Sequence, residues 1–299
     1  MSLQSLVASG LIGRDVPLGP MTTYKSGGPA RFFAEPEGMK DLEALASAVE
    51  PGLPVLVLGR GSNLVVSDRG FSGLVVRLGS GFRLHEHASD RISAGAALSL
   101  PVLARAAVDQ ERRGLEFFVG VPGSVGGAVR QNAGCFGSEV KDVLIDATIL
   151  DLDAGDVATV GVDQLAMRYR SSNIGQRQVV VSARFRVVTG DVHAARAELR
   201  RITRWRKENQ PGGTLNAGSV FKNPEGTTAG ELIDRLGLKG TSFGDVAVSE
   251  KHANFFVAGS DATSADISGL VALVKDRVFE ESGTMLETEI QFVGFEEWQ

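Results

Sequence analysis

The stretch LGRGSNLVVSD, residues 58–68, limits the possible fold more than any other feature of the chain. Its glycine turn lies between PVLVLG, 54–59, which has the pattern of a buried strand, and a second short apolar run, LVV, 64–66. GLVVRL, 73–78, follows as a further strand pattern. A dinucleotide-binding fingerprint needs a glycine turn that opens a helix, so that the helix N-terminus meets the pyrophosphate. Here the turn opens a strand, which excludes a Rossmann unit. The pattern Leu42, Leu45, Ala46, Val49 just upstream predicts a short helix over 40–50, stopped at Pro51.

The 299 residues contain 37 glycines, bunched in three loops at 59–61, 120–127 and 212–218. Bunched glycine between apolar runs suggests backbone brought close to a ligand. The longest apolar runs, such as VLVL at 55–58, are far short of a membrane span. No charged-then-apolar leader opens the chain, so a cytoplasmic location is expected. The single cysteine, Cys135, excludes an internal disulfide framework. Histidines 85, 87, 193 and 252 share no metal-ligand spacing with it, and no metal site is expected. A net charge of −5 gives no general attraction to nucleic acid or to an anionic membrane, so an anionic ligand needs a local basic cluster.

Ser99 is placed to cap a helix with Pro101 in its first turn and Gly114 beyond it. FFVGVPGSVGGAVRQNAG, 117–134, reads as a long, close-fitting loop. It lacks the Lys-Ser/Thr ending of a Walker loop, so ATP hydrolysis is not supported, while a phosphate on backbone amides remains open. From 143 to 188 the pattern is β; Val181, Ala183, Phe185 and Val187 alternate with Ser182, Arg184 and Arg186, which predicts a strand with one buried face. Residues 192–207 form an amphipathic helix whose basic stripe, Arg196, Arg200, Arg204 and Lys207, is a solvated face or an anion contact. QPGGT, 210–214, marks a hinge before a C-terminal unit with helices at 227–236 and 264–282 and the strand NFFVA between them. Strands and helices mixed in short pieces make the fold class α+β.

Reactive side chains concentrate in MRYRSS, 167–172, LNAGSVFKNP, 215–224, and LETEI, 286–290. Arg170 offers a permanent planar cation suited to carboxylate or phosphate, or to a structural ion pair. Glu287 and Glu289 alternate onto one strand face, either wet or lining a cleft, where one of them would serve as an acid. Ser219 lacks the G-x-S-x-G elbow of a serine hydrolase. Cys135, with no histidine near it in sequence, reads as a small packed side chain.

The order TYKSGGPA, LGRGSNLVVSD, GVPGSVGGAVRQNAG, YRSS, NAGSVFKNP, AGELIDRLGLKG, LETEIQFVG resembles, over nearly the whole chain, the UDP-N-acetylenolpyruvoylglucosamine reductase (UDP-N-acetylmuramate dehydrogenase) family. The chain is similar to the compact subgroup that lacks an inserted tyrosine loop. The resemblance implies a vanillyl-alcohol-oxidase (PCMH-type) FAD-binding fold of two α+β subdomains, 1–73 and 74–200, with 293–299 a candidate to complete the first, followed by a substrate domain, 201–292. It implies non-covalent FAD, lying between the first two subdomains. Gly59, Arg60, Gly61, Ser62, Asn63 and Leu64 would hold it, together with Gly120, Pro122, Gly123, Ser124, Gly126 and Gly127. NADPH would reduce the flavin and then give way to UDP-N-acetylenolpyruvoylglucosamine.

In the family's reaction, hydride passes from flavin N5 to the terminal enolpyruvyl carbon and charge builds on the neighbouring carbon and its carboxylate. Carried onto this sequence, Arg170 and Glu289 would bind and polarise that carboxylate and Ser219 would supply the proton. Tyr169, Lys222 and Asn223 would contact substrate. Two positions depart from the family: Phe136 stands where many members have tyrosine, and RKENQP, 206–211, lacks a lysine directly before the proline. The rival readings are a flavin oxidase of the same fold, disfavoured by the absence of histidine from the 58–68 and 120–134 loops, and a non-catalytic UDP-sugar-binding protein. A monomer or weak dimer is expected.

Overall fold

The computed structural model describes residues 2–296. They form two compact units, each with its own apolar core. The first takes the residues up to Arg14, Phe32–Gly59 and Gly73–Trp205; the second takes Asp15–Arg31, Arg60–Ser72 and the residues from Arg206 onward. Residues 15–31 and 60–72 group with the C-terminal part by packing. Residues 297–299, part of the segment expected to complete the first subdomain, lie outside the described residues.

The first unit is built on a five-stranded antiparallel sheet with the spatial order Val157–Gly161, Leu144–Asp151, Gln178–Arg186, Arg91–Gly95, His85–His87. Ala183 sits opposite Ala147 on one side and Ala94 on the other. The predicted alternation holds: Val181, Ala183, Phe185 and Val187 are buried, and Arg184 and Arg186 are exposed. The expected helix after Ser99 runs Leu100–Asp109, ending before Gly114 because Arg112–Arg113 pair with Val188–Thr189. In the long helix Val192–Asn209, Ala195 and Ile202 face the core, while Arg196, Arg200, Arg204 and Lys207 are exposed.

One expectation needs revision. The glycine-rich stretch 117–134 is not loop throughout, since Val125–Gln131 is a helix. Val125, Ala128 and Val129 supply a buried stripe at helical spacing. Ser124 caps it by accepting from the Gly127 amide at 3.4 Å. Two glycines in seven residues obscure the helical pattern because glycine lowers helix propensity without forbidding the helix.

The second unit pairs Ser242–Phe243, Val246–Val248 and Phe256–Ala258 in an antiparallel sheet. The helix Ser264–Ser282 packs on this unit's core through Ile267, Leu270, Val274 and Val278, at the spacing expected of one buried stripe. Thr263 and Asp266 form its capping box and Gly283, at φ +67, ends it. Leu64–Val66 pairs in parallel with Gln291–Val293. That pairing brings the glycine turn ahead of Leu64 and the glutamates ahead of Gln291 to the same end of a strand pair.

Candidate active site

In the second unit, three segments far apart in sequence converge around Ser219. The segment opens with a turn in which Asn216 Oδ1 accepts from the Gly218 amide at 3.0 Å. Gly218 has φ +77 and open space where a β-carbon would stand, so glycine is required by the turn and not by crowding. Ala217 is buried in the core alongside Tyr24 and Phe256. From Ser219 onward the chain is bonded on both sides. On one side Ser219 bridges Phe255, and the Val220 amide donates to the Asn254 carbonyl at 2.9 Å. The Asn254 side chain then serves both main-chain groups of Phe221, accepting from its N–H at 2.9 Å and donating to its carbonyl at 2.8 Å. On the other side the Glu289 amide donates to the Val220 carbonyl at 2.7 Å, and the Lys222 amide to the Glu287 carbonyl at 2.9 Å.

Asn63 joins this arrangement. Its side-chain amide donates to the Glu289 carbonyl at 2.9 Å, and its own carbonyl accepts from the Gln291 amide at 3.0 Å. The turn before it cannot take a larger residue at position 61. Gly61 has φ +62, and a β-carbon there would stand 2.3 Å from the Met21 carbonyl oxygen. Ser62 is half-buried, Arg60 is exposed, and Leu64 begins the strand.

The two glutamates expected on one strand face lie ahead of the strand Gln291–Val293, where only Thr288 makes a β-bridge, to Phe221, and the chain bends at Glu289; they are not equivalent. The Glu287 side chain is 74% exposed and lies 3.2 Å from Lys222 Nζ, whereas Glu289 is half-buried. The Asn223 carbonyl oxygen Oδ1 accepts from the Ala229 amide at 3.2 Å, at the start of the helix Ala229–Arg235. In the core of this unit the Tyr24 hydroxyl donates to the Phe256 carbonyl at 3.3 Å, and burial holds that phenol protonated by raising its pKa well above the usual value. His252 accepts from the Asn254 amide through Nδ1 at 3.3 Å; burial first, then the Lys239 charge, lower its pKa.

In the first unit, Gly59 and Ser124 meet. A β-carbon on Gly59 would lie 2.7 Å from Ser124 Oγ, so two of the glycine loops touch here. Pro122 and Gly127 are exposed, while Gly123 and Gly126 are half-buried. Gly120 is buried instead, with Cys135 Sγ 2.7 Å from where its β-carbon would be. Cys135 donates to the Phe117 carbonyl, the packed role expected of it. Phe136 lies edge-on to Trp205 at 5.2 Å and under the Arg201 guanidinium at 5.3 Å.

Tyr169 and Arg170 form the tip of a tight hairpin, closed by Arg168 N–H to the Ser171 carbonyl at 3.0 Å and Ser171 N–H to the Arg168 carbonyl at 3.1 Å. Arg170 takes φ +54, a conformation that costs a residue with a β-carbon about 1–3 kcal/mol. Its guanidinium donates to the Gly134 carbonyl at 2.9 Å and lies 4.9 Å from the Tyr169 ring centre. The first unit therefore carries Gly59, Gly120, Pro122, Gly123, Ser124, Gly126, Gly127, Tyr169 and Arg170. The second carries Arg60, Gly61, Ser62, Asn63, Leu64, Ser219, Lys222, Asn223 and Glu289.

Sequence reasoning gave no individual role to Asn132, Asn254 and Tyr24, and weighed His252 only as a metal ligand. Each acts through a partner distant in sequence or through burial, and a single sequence displays neither.

Residues 210–293 match the family model described as UDP-N-acetylenolpyruvoylglucosamine reductase, C-terminal domain, and residues 30–161 match the one described as FAD binding domain. The UDP-N-acetylenolpyruvoylglucosamine reductase of Novosphingobium aromaticivorans is 41% identical over 286 residues, covering 95% of this chain and 96% of that protein. The reductase of Acidiphilium cryptum is 44% identical over 285 residues, covering 95% and 92%. The crystal structure of the reductase from Thermus caldophilus superimposes with a TM-score of 0.83 at 33% identity, over 94% of this chain and 98% of that one. The FAD-binding α+β fold expected from the motifs is thus the fold of the chain, which belongs to the UDP-N-acetylenolpyruvoylglucosamine reductase family.

Proposed function

We propose that this protein is the FAD-dependent reductase that converts UDP-N-acetylenolpyruvoylglucosamine to UDP-N-acetylmuramate with NADPH, in the synthesis of peptidoglycan precursors. The observation that carries the reading is the clasp of the second unit, where Ser219, Glu289 and Asn63 from three remote segments are bonded into one framework.

The residues fit FAD. The segments 58–64 and 120–127 contain no acidic side chain and a single cation, Arg60, so they offer amides, hydroxyls and one positive charge to a diphosphate. In the first unit Gly59 lies against Ser124, so two of these segments meet there. We assign FAD to Gly59, Arg60, Gly61, Ser62, Asn63 and Leu64 and to Gly120, Pro122, Gly123, Ser124, Gly126 and Gly127. We divide the chain by ligand into cofactor-binding residues 1–73 and 74–200 and substrate-binding residues 201–292. The two compact units divide it instead by packing.

Bound FAD supplies the hydride, drawn from NADPH. This chain's own residues do the rest. Arg170 sets a permanent cation against the enolpyruvyl carboxylate, where its planar fork matches both oxygens. Glu289 polarises the same carboxylate, and preorganised groups of this kind act on charge as it develops. Ser219 hands a proton to the carbon beside the carboxylate; a hydroxyl is a weak acid in water, but a carbanionic enolate is a strong base and the donor is already in reach. Tyr169, Lys222 and Asn223 contact substrate, Asn223 while its Oδ1 also accepts from Ala229.

Among the described residues no helix is long and apolar enough to cross a membrane. We assign the protein to the cytoplasm as a monomer or weak dimer. The test is anaerobic: the purified protein shows a flavin spectrum, NADPH bleaches it, and enolpyruvyl-UDP-N-acetylglucosamine restores it. A protein that binds flavin but is reoxidised by oxygen alone is an oxidase, and one that binds the sugar without turnover is a binding protein; either result overturns the reading.

A further inference from the structure

Asn132 stands between the glycine-rich helix and the Arg170 hairpin. It closes the helix Val125–Gln131 with a left-handed backbone, φ +43, and it is fully buried. Its side chain is committed on both ends. Nδ2 donates to Glu139 Oε2 at 2.7 Å and to the Arg168 carbonyl at 3.0 Å, and Oδ1 accepts from the Lys141 amide at 2.9 Å. A buried amide with these groups satisfied is a rigid, directional joint. The Arg168 carbonyl that it holds is one end of the hairpin, the same oxygen that accepts from Ser171. Two residues further on, the Gly134 carbonyl accepts from the Arg170 guanidinium at 2.9 Å. One short segment, 132–134, thus fixes both the base of the hairpin and the end of the arginine side chain. Arg170, at φ +54, sits in a conformation that persists only when its surroundings over-determine it.

We propose that Asn132 is a positioning residue for Arg170: by pinning the Arg168 carbonyl it keeps the hairpin in the strained turn that presents the guanidinium to the substrate carboxylate. This inference rests on the carboxylate contact proposed for Arg170. Ending a helix in a left-handed conformation is a task glycine performs equally well, so capping alone does not call for a buried, triply bonded amide. Asn132→Gly separates the two roles, keeping the backbone conformation and deleting the clamp.

The test compares two ligands on the FAD-loaded, oxidised protein. UDP-N-acetylmuramate carries the carboxylate and UDP-N-acetylglucosamine lacks it. Asn132→Gly is expected to weaken UDP-N-acetylmuramate about tenfold, the scale of the turn strain it releases, and to leave UDP-N-acetylglucosamine within about twofold. Asn132→Asp, which keeps the acceptor for Lys141 and loses the donors, serves if the glycine variant folds poorly, with the same selective loss expected. Arg170→Lys is measured alongside, and the double variant is expected to lose little more than either single one, because both act through one contact. Equal loss for both ligands, no loss for either, or fully additive losses overturns the role of Asn132. If Arg170→Lys binds both ligands as the wild type does, the carboxylate contact of Arg170 fails instead, and the assignment of Asn132 falls with it.

Discussion

At Arg170 the chain turns through φ +54 in a two-residue hairpin tip, while at Ser219–Phe221 it is bonded to a neighbouring segment on each side. The hairpin is closed by its own Arg168–Ser171 main-chain pair and anchored to 132–134 by side chains: Asn132 grips the Arg168 carbonyl, and Arg170 itself reaches the Gly134 carbonyl. The Ser219 segment is held mainly by main-chain bonds of the kind that build a sheet, with the Asn254 side chain standing in for a strand. The difference is one of what a substitution disturbs. In the role proposed for Arg170, a strained tip outside the core carries function with little contribution to stability. A paired segment that runs into the core, through Val220 and Phe221, couples function to the stability of the fold.

The largest separation is expected at Arg170. Arg170→Ala should lower kcat/KM for the enolpyruvyl substrate by about 10³-fold, the scale of losing a preorganised charge partner in the transition state, while shifting the unfolding free energy by less than about 0.5 kcal/mol. Steady-state kinetics beside a denaturant titration read both. A stability loss comparable to the kinetic one would remove the contrast.

Asn254→Ala should do the reverse. It strips the partners from two buried main-chain groups of Phe221 and should destabilise the protein by about 2–4 kcal/mol. Denaturant unfolding measures this, and a loss below about 1 kcal/mol would show that the segment is not held as argued. Gly218→Ala meets no steric obstacle and bears only the cost of φ +77, so about 1 kcal/mol is expected. A much larger loss would mean that the turn is also crowded.

The smallest effect is pH-dependent and again belongs to the paired segment. Burial holds the His252 imidazole below its ordinary pKa of 6.5, so as the pH falls the unfolded chain takes up this proton before the folded one. The contribution is fully present above about pH 6.5 and shrinks as the pH drops toward the lowered folded value. Comparing unfolding midpoints at about pH 7.5 and about pH 5.5 for wild type and His252→Gln isolates it: the variant should show the flatter profile. An identical slope in both proteins would assign the pH dependence elsewhere.

Much of the fold was legible because burial periodicity survives in local sequence. Val181, Ala183, Phe185 and Val187 declare a half-buried strand, and Ile267, Leu270, Val274 and Val278 a buried helical stripe between Thr263 and Gly283. The helix Val125–Gln131 was illegible because its glycines mask a stripe of only three residues. The site divides in the same way. The alternation of Glu287 and Glu289 suggested a strand that the chain forms only from Gln291 onward, and which of them stays half-buried depends on Lys222 and on pairing with the Val220 segment. Asn223 looked like a ligand contact, and it also accepts from the Ala229 amide beside the Thr228 cap, a bond its spacing had not suggested. Asn132 and Asn254 carry no local signal at all, since a buried asparagine is recognised only by the partners the fold brings to it.

Ser219, proposed as the source of a proton and not as a support for the fold, is tested most directly by separating the two half-reactions. Ser219→Ala, loaded with FAD, is reduced anaerobically by NADPH and then mixed with enolpyruvyl-UDP-N-acetylglucosamine in a stopped-flow spectrometer. Reduction by NADPH should proceed within about twofold of wild type, while reoxidation by the substrate should slow by about 10³-fold, within the range that a positioned acid contributes. Equal slowing of both half-reactions, or reoxidation at the wild-type rate, would contradict that role.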